Sequence, residues 1–234
     1  MITRFVCLAN SYKHGGRCIA GIQLDNSNQP IISNGRPVWI RPVGLANHGE
    51  VPTHVVSSFN LMDIVQVDVT GKHPDGHQSE NVTFTPASLA KIGDFGKQQL
   101  DSLCDVTPTI FGNRGKAVSP DAIANLKYSL MLIKVSDGQI DLVTYPDRPD
   151  KPQVRLKFTY NGKNSTLAAP IPPGLSAFCK KANEYNLPIT DPAFLNRYAN
   201  APNILAGIPF CYLCLSLGTI HEEWYSKLVA GVIF

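Results

Sequence analysis

The chain lacks long apolar runs, and it has few charged and few aromatic side chains. Charged residues make up 17% and aromatic residues 9% of its 234 residues. A helix that crosses a bilayer needs about 20 apolar residues in succession, and no uninterrupted apolar run of about 18 is present. The start of the chain also lacks the longer apolar segment and cleavage site of a secretory signal peptide. We therefore expect a cytoplasmic protein that does not enter a membrane.

The signatures of several enzyme classes are also absent. The sequence has no GxxxxGK[ST] phosphate loop, no GxSxG, no HExxH and no dinucleotide-binding fingerprint. Its six cysteines lie inside apolar runs and lack the regular framework of a small disulfide-rich scaffold. Its one CxxC, Cys211 to Cys214, has no βαβ context of a redox protein. We expect buried free thiols, no metal site and no cofactor.

The distribution of charge is more informative than its total. The net charge is +3, and the first 50 residues alone hold five basic residues against two acidic ones. The rest of the chain is therefore neutral overall. A local excess of cations suits an anionic ligand, but it is too small to support strong nonspecific binding of nucleic acid.

Short strand signals dominate the pattern, which predicts a mainly β protein. Helices are expected only over 86–104, 175–185 and 191–198, the last with Asp191 as its N-cap and Pro192 at its first position. A loop is expected over 145–152, and hairpin turns at Ser136-Asp137-Gly138 and Asn161-Gly162. The predicted strands cover residues 3–9, 17–24, 37–43, 62–70, 79–84, 128–135, 139–145, 154–160, 165–168, 209–217 and 226–233. Many short strands with few helices indicate a barrel or a sandwich.

A weak internal repeat links the two ends of the chain. Residues 5–11 lead through a polar loop into Arg17-Cys18-Ile19-Ala20-Gly21-Ile22, and residues 210–216 lead through another into Lys227-Leu228-Val229-Ala230-Gly231-Val232. Each segment is a strand, a polar loop, a cation, three small or apolar residues, a glycine and an apolar residue. The repeat favours a common architecture for the two halves, although two short matches also arise by chance in β proteins.

The loop between the first two predicted strands carries more chemistry than a turn requires. Its two glycines allow a close approach of the backbone to a ligand. Lys13 and Arg17 can hold phosphate or carboxylate, and His14 can bind or shuttle a proton. A flexible hairpin tip with solvated charges is the alternative. The candidate ligand-binding residues of this loop are Asn10, Tyr12, Lys13, His14, Gly15, Gly16 and Arg17.

The strand that contains Trp39 and Arg41 is a second candidate. Strand alternation places these two side chains on one face and Ile40 on the other. A Trp beside an Arg on an open β face suits stacking on a base together with a phosphate contact. The alternative is a packed Trp39 that Arg41 covers. Polar recognition residues in the loop that follows are His77, Glu80 and Asn81, with a solvated loop as the alternative.

An ordered set of short motifs spans almost the whole chain. These are Phe5-Val6-Cys7-Leu8-Ala9-Asn10-Ser11, Gly15-Gly16-Arg17-Cys18-Ile19-Ala20-Gly21, Trp39-Ile40-Arg41-Pro42-Val43, Gly49-Glu50-Val51, Asp63-Ile64-Val65, His77-Gln78-Ser79-Glu80-Asn81, Leu215-Ser216-Leu217-Gly218 and Tyr225-Ser226-Lys227-Leu228-Val229-Ala230-Gly231. Together they resemble the prokaryotic dual OB-containing domain family. The resemblance differs after Gly218, where Thr219 stands in place of an expected acidic residue.

The resemblance implies two OB-like β-barrels packed together, with a few short helices. The expected domains are residues 1–125, with a helical insertion, and residues 126–234. The family is associated with nucleic-acid handling in prokaryotic or phage defence and repair. The resemblance transfers no catalytic residue to this chain.

Three functional hypotheses follow. The first, which we favour, is the binding of single-stranded nucleic acid or a nucleotide through loop 10–17 and the Trp39/Arg41 strand. The low net charge and the small number of aromatic residues fit a nucleotide better than a long strand. The second is an enzyme that acts on a nucleotide-like or nucleic-acid substrate with His14, His77 and Glu80. The third is a non-catalytic scaffold that docks a partner protein.

Overall fold

The computed structural model describes residues 1–45, 48–161, 184–198 and 204–234, and it is built mainly of strands. The strands are β1 Ile2–Lys13, β2 Gly16–Leu24, β3 Ile32–Ser33, β4 Arg36–Pro37, β5 Trp39–Pro42, β6 Asp63–Lys72, β7 Asn81–Phe84, β8 Ala90–Asp94, β9 Ala117–Val118, β10 Leu130–Tyr145, β11 Arg148–Thr159, β12 Glu184–Pro188, β13 Cys211–His221 and β14 Trp224–Ile233. The α-helices are α1 Thr53–Val56, α2 Leu100–Leu103, α3 Pro120–Ile123 and α4 Pro192–Tyr198. None of the described helices is long and apolar enough to cross a bilayer.

The first barrel is made by strands in the order β1-β2-β5-β7-β6, and β6 pairs back with β1 to close it. The β5–β7 pair is parallel and the other pairs are antiparallel. β8 adds to β6 outside this circuit. The interior is apolar and includes Phe5, Cys7, Ile19, Ile40 and Val65. A closed five-stranded sheet of this kind is the architecture of an OB-type barrel.

The second barrel has the strand order β12-β11-β10-β13-β14, and a parallel bridge between Ile189 and Val229 joins its two ends. β10 reaches across it, because its first part pairs with β13 and its second part pairs with β11. The short strand β9 also pairs with β14. β9 therefore belongs to the second sheet although it precedes residue 126, and the domain division at 125/126 stays a prediction.

An apolar seam joins the two barrels. It combines Val6, Leu8 and Ile22 of the first barrel with Leu132 and Cys214 of the second in one buried cluster. The β1–β2 hairpin packs closely against β14. At this contact an added Cβ on Gly231 would lie 2.1 Å from the carbonyl oxygen of Leu8, so only glycine allows the two strands to approach this closely.

The internal repeat of the sequence corresponds to two similar hairpins, β1–β2 and β13–β14. In the first, Cys7 pairs with Gly21 next to a one-residue bulge. In the second, Cys214 pairs with Gly231, again next to a one-residue bulge. Both hairpins close through two residues with positive φ, which are His14 and Gly15 in the first and Glu222 and Glu223 in the second. Positive φ at both central positions is typical of a tight type I′ hairpin turn.

The basic residues at equivalent places in the two hairpins have different surroundings. Arg17 pairs with Tyr12 in the first hairpin, and Lys227 pairs with Leu217 in the second. Lys227 is fully buried, and its Nζ donates to the carbonyl oxygens of Ile110 and Asn113 at 2.6 and 2.8 Å and to Asn113 Oδ1 at 2.9 Å. Burial lowers the pKa of this lysine to about 8. Lys227 thus fastens the segment before β9 to the second barrel.

Several predicted elements differ from the structure. The hairpin predicted at Ser136-Asp137-Gly138 is wrong, because β10 continues through it with an irregular register to pair with β11. The chain instead reverses at residues 146–147, so most of the loop predicted over 145–152 lies in β11. The helix predicted over 86–104 is also wrong, because Ala90–Asp94 pairs with β6 and only Leu100–Leu103 is α-helical. Gly93 and Gly96 interrupt the helical pattern there.

Other predictions are confirmed or fall elsewhere. α4 begins after Asp191, whose Oδ1 accepts from the backbone N–H groups of Ala193 and Phe194, as expected for an N-cap. The strand predicted over 165–168 lies outside the described residues. So does the helix predicted over 175–185, except for its last two residues, which begin β12.

The described cysteines are free thiols, as the sequence predicts. Cys7, Cys211 and Cys214 are buried, whereas Cys18 and Cys104 are half-buried. Burial raises the pKa of the thiols of Cys104 and Cys211 to about 12. A thiol with so high a pKa is a poor nucleophile, which supports a structural role for these two residues.

Candidate functional site

A cavity of about 260 Å³ lies between the two hairpins, near the ends where they turn. Its walls come from equivalent positions of the repeat. Ser11 and Cys18, which pair with each other in the first hairpin, face Ser216 and Leu228, which pair in the second. The two barrels therefore form this cavity together, and neither provides it alone.

A second cavity of about 250 Å³ adjoins the first. It lies over the loop that precedes β7 and is lined by Gln78, Asn81 and His48 among others. Lys13, Gln78 and Thr219 line both cavities. We call the two neighbouring cavities together the groove.

Arg41 lines the first cavity from below and is only 2% exposed. Its Nη2 lies 3.1 Å from Glu80 Oε1 and donates to Ser129 Oγ at 2.8 Å and to Ser216 Oγ at 3.4 Å. Ser129 Oγ in turn donates to Glu80 Oε1. Arg41 and Glu80 belong to the first barrel and the two serines to the second, so this buried network connects the barrels beneath the groove.

The open β face predicted for Trp39 and Arg41 is wrong. Ile40 faces the interior of the first barrel, and the opposite side of β5, which holds Arg41, is covered by the second barrel. Trp39 is half-buried and packs against the apolar seam. It lines neither cavity of the groove, so a contact between Trp39 and a ligand stays a prediction that the geometry of the groove does not support.

Two basic side chains line the first cavity. Arg41 and the half-buried Lys13 both line it, and none of its described lining residues is acidic. Burial is the main cause that lowers the pKa of the Lys13 ammonium, and the charge of Arg41 acts in the same direction, whereas the carboxylates of Glu50 and Asp75 act against it. Arg41 is already paired with Glu80, whereas Lys13 makes no salt bridge among the described residues, so an anionic ligand would offset the hydration that Lys13 loses here.

The rim of the groove carries exposed rings. Tyr12 is 51% exposed, and the Arg17 guanidinium carbon lies 5.2 Å from the centre of its ring. His14, at the tip of the β1–β2 turn, stacks on His48 with ring centres 4.3 Å apart. Single-stranded nucleic-acid sites combine exposed aromatic rings with basic side chains, and both are present here.

The structure brings five of the predicted ligand residues to the groove. They are Tyr12, Lys13, His14, Arg41 and Asn81. Asn81 is 3% exposed and lines the second cavity, and its Nδ2 donates to Gln78 Oε1 at 3.1 Å. Asn81 Oδ1 and Arg41 Nε are buried and have no partner among the described atoms. Asn81 Oδ1 can therefore accept, and Arg41 Nε can donate, one further hydrogen bond.

The other predicted residues line neither cavity. Asn10 is buried, and its Nδ2 donates to the carbonyl oxygens of Val56 and Phe59, which fixes the end of α1. Gly16 packs beneath Val51, whose carbonyl oxygen would lie 2.7 Å from an added Cβ. Gly15 is the turn residue after His14, and Arg17 covers the outer side of Tyr12.

His77 and Glu80 lie behind the groove. Glu80 is the buried partner of Arg41. The ring of His77 meets that of Tyr225 edge to face at 4.9 Å, and burial lowers the pKa of this imidazole. Since these two residues line neither cavity, we infer that they support Arg41 and the loop before β7.

Sequence reasoning missed several residues of the groove. Ser216 and Gln78 lie in motifs that the family resemblance includes, and Thr219 is the position at which the chain differs from that resemblance, but nothing in their residue types indicated a site. Cys18 was expected in the core, yet it is half-buried and lines the first cavity. Only the contact between the barrels, which sequence periodicity does not report, places these side chains together.

Two five-stranded barrels joined by an apolar seam, with a polar groove between their end hairpins, define a protein with two OB-type domains. A sequence profile of the dual OB-containing domain family matches residues 3–172 and 174–232. The chain belongs to this family. No curated protein matches the chain.

Proposed function

We propose that the protein binds single-stranded nucleic acid or a nucleotide through an anionic group held in the groove. The observation that carries this proposal is the first cavity, which Lys13 and Arg41 both line and whose described lining has no acidic residue, with Glu80 paired to Arg41 behind it. Arg41 is fixed by Glu80 and by the serines of the other barrel, so it needs little rearrangement to bind an anion. The exposed ring of Tyr12 supplies a surface on which a base can stack.

A binding role has more support than an enzymatic one. The enzyme hypothesis requires His14, His77 and Glu80 to act on one substrate, but only His14 lines the groove. The charge balance supports recognition of a short ligand, because the net charge of +3 is small for a protein that tracks a long polyanion.

Fluorescence anisotropy tests the proposal. Labelled single-stranded DNA and RNA are titrated with the full chain at two salt concentrations, and unlabelled mononucleotides serve as competitors. Lys13→Gln removes one cation of the groove and should weaken binding at least about tenfold. This is the effect expected when a hydrogen bond to a charged group, worth about 1.5–3 kcal/mol, is lost. Lys116→Gln, which removes the same charge from an exposed lysine outside both cavities, is the matched control.

The salt dependence adds an independent measurement. If Lys13 contacts a phosphate of a single strand, its loss should reduce the slope of log K against log salt by about 0.7. The proposal is wrong if neither oligonucleotides nor mononucleotides bind, or if Lys13→Gln and Lys116→Gln have the same effect on affinity.

A further inference from the structure

We propose that the groove takes a single nucleotide, with the phosphate in the first cavity and the base in the second. This inference rests on the proposed function and adds to it the size of the ligand and its orientation. It follows from the different chemistry of two cavities that share a wall.

The first cavity fits a phosphate group. Lys13 supplies positive charge, Arg41, although paired with Glu80, supplies a guanidinium, and Ser11 and Ser216 place hydroxyl groups on opposite walls. A phosphate oxygen accepts hydrogen bonds from each of these group types. A base would use this set less well, because the ammonium and guanidinium groups donate hydrogen bonds but cannot accept them.

The second cavity fits the polar edge of a base. Asn81 and Gln78 are more than nine-tenths buried, and the bond from Asn81 Nδ2 to Gln78 Oε1 occupies one donor and one acceptor of the pair. Asn81 Oδ1 then remains as a buried acceptor without a partner. The amide nitrogen of Gln78, which lines the cavity, donates to no other described side chain or backbone group. An adjacent acceptor and donor complement the edge of a nucleobase, which presents an N–H beside a carbonyl or ring nitrogen.

The dimensions favour one nucleotide. Each cavity, at about 260 and about 250 Å³, falls below the range of roughly 300–1,000 Å³ that is usual for small-molecule sites. The two cavities together reach that range. Lys13, Gln78 and Thr219 line both cavities, so a sugar that connects base and phosphate would lie against these three residues.

Calorimetric titration of the full chain with four kinds of probe tests the assignment. The probes are the four ribonucleoside 5′-monophosphates, their nucleosides, ribose 5-phosphate and inorganic phosphate. At least one monophosphate should bind ten times more tightly than its nucleoside and than ribose 5-phosphate. A competition between this monophosphate and a 5′-phosphorylated oligonucleotide then identifies the source of the nucleotide. If the monophosphate displaces the oligonucleotide, the terminal nucleotide of a strand occupies the same groove. The ligand that binds more tightly shows whether the groove takes a free nucleotide or a strand end.

Variants separate the two cavities. Asn81→Ala should weaken the monophosphate about tenfold and leave ribose 5-phosphate unchanged, whereas Lys13→Gln should weaken both. Asn125→Ala, at an exposed amide outside the groove, is the matched control. Since Asn81 lies in β7, thermal unfolding is measured for each variant. Gln78→Ala, in the preceding loop, tests the same prediction if Asn81→Ala is unfolded.

Two different failures can be told apart. If ribose 5-phosphate binds as tightly as every monophosphate, and neither Asn81→Ala nor Gln78→Ala changes any affinity, the base does not occupy the second cavity. The proposed function survives that result as long as Lys13→Gln weakens anion or oligonucleotide binding. If no anionic probe and no oligonucleotide binds, both the proposed function and this inference are wrong.

Discussion

Removal of the charge of Arg41 should destabilise the protein strongly, and neutralisation of Glu80 in addition should restore most of the loss. The side chains of Arg41 and Glu80 are 2% and 4% exposed. Arg41→Met leaves a buried carboxylate without its cation, and Glu80→Gln leaves a buried guanidinium without its anion. The double variant leaves no net charge at the site, and Gln can still accept the hydrogen bond from Ser129.

The expected magnitudes follow from the geometry. At an effective dielectric constant of about 20, two unit charges about 3 Å apart attract each other by about 5 kcal/mol, and the cost of desolvation offsets much of this. Loss of one partner of a buried pair costs about 3–5 kcal/mol, mainly because the other charge stays buried. The double variant should lose only about 1–2 kcal/mol, the value of the hydrogen bonds that Met cannot make. The coupling energy should therefore exceed about 3 kcal/mol.

Guanidinium chloride unfolding of the four proteins at 25 °C measures this cycle. The dependence of the free energy of unfolding on denaturant should stay constant, since the same surface is exposed in each case. The reasoning is refuted if Arg41→Met costs less than about 1 kcal/mol, or if the two single losses add up in the double variant. A stable double variant also gives a direct test of the groove, because it lacks the guanidinium and should bind nucleotides or oligonucleotides more weakly than the wild type.

Three further predictions concern the seam, the buried lysine and the rim. Gly231→Ala should lower the free energy of unfolding by about 1–3 kcal/mol and the melting temperature by several degrees. Gly93→Ala is the control, because its added Cβ would be 3.7 Å from its nearest neighbour, and it should cost less than about 1 kcal/mol. Equal losses would contradict the close approach of β14 to β1 at Gly231. Because the pKa of Lys227 is lowered to about 8, the folded protein releases this proton before the unfolded chain does as pH rises. The free energy of unfolding is measured in urea for the wild type and for Lys227→Met, and the difference between them should increase by about 1.4 kcal/mol per pH unit between pH 8 and 10. A difference that does not change with pH would show that the pKa of Lys227 is not lowered. Tyr12→Ser should weaken oligonucleotide binding in the anisotropy assay by about 1–3 kcal/mol. Trp224→Ser, which removes another aromatic ring that is 51% exposed, should have little effect. If Trp224→Ser weakened binding more than Tyr12→Ser, the stacking surface would lie on the second hairpin instead.

Local patterns in the sequence predicted the elements that depend on local chemistry. The two hairpins of the repeat join the predicted strand pairs, and α4 begins after its predicted Asp191 cap. The errors occur where distant partners decide the outcome. Ser136 to Gly138 would suit a tight turn, but pairing with β11 keeps the chain extended on both sides of it.

The site was predictable only in part for the same reason. The loop that holds Tyr12, Lys13 and His14 stood out by its residue types, and the structure places it on the groove. Arg41 was expected at the surface because alternation within one strand cannot show that a second barrel covers the strand. The opposite wall, with Ser216 and Thr219, comes from the far end of the chain and has no local signal of binding.

The similarity of the two hairpins means that the two walls of the first cavity can be varied separately. The walls come from matching positions, but they belong to opposite ends of the chain, so a substitution in one hairpin leaves the other wall unchanged. The first hairpin presents Lys13 and His14 at the opening, whereas the basic residue of the second, Lys227, is buried and holds the segment before β9. Two hairpins of similar geometry therefore give one cavity two chemically different walls.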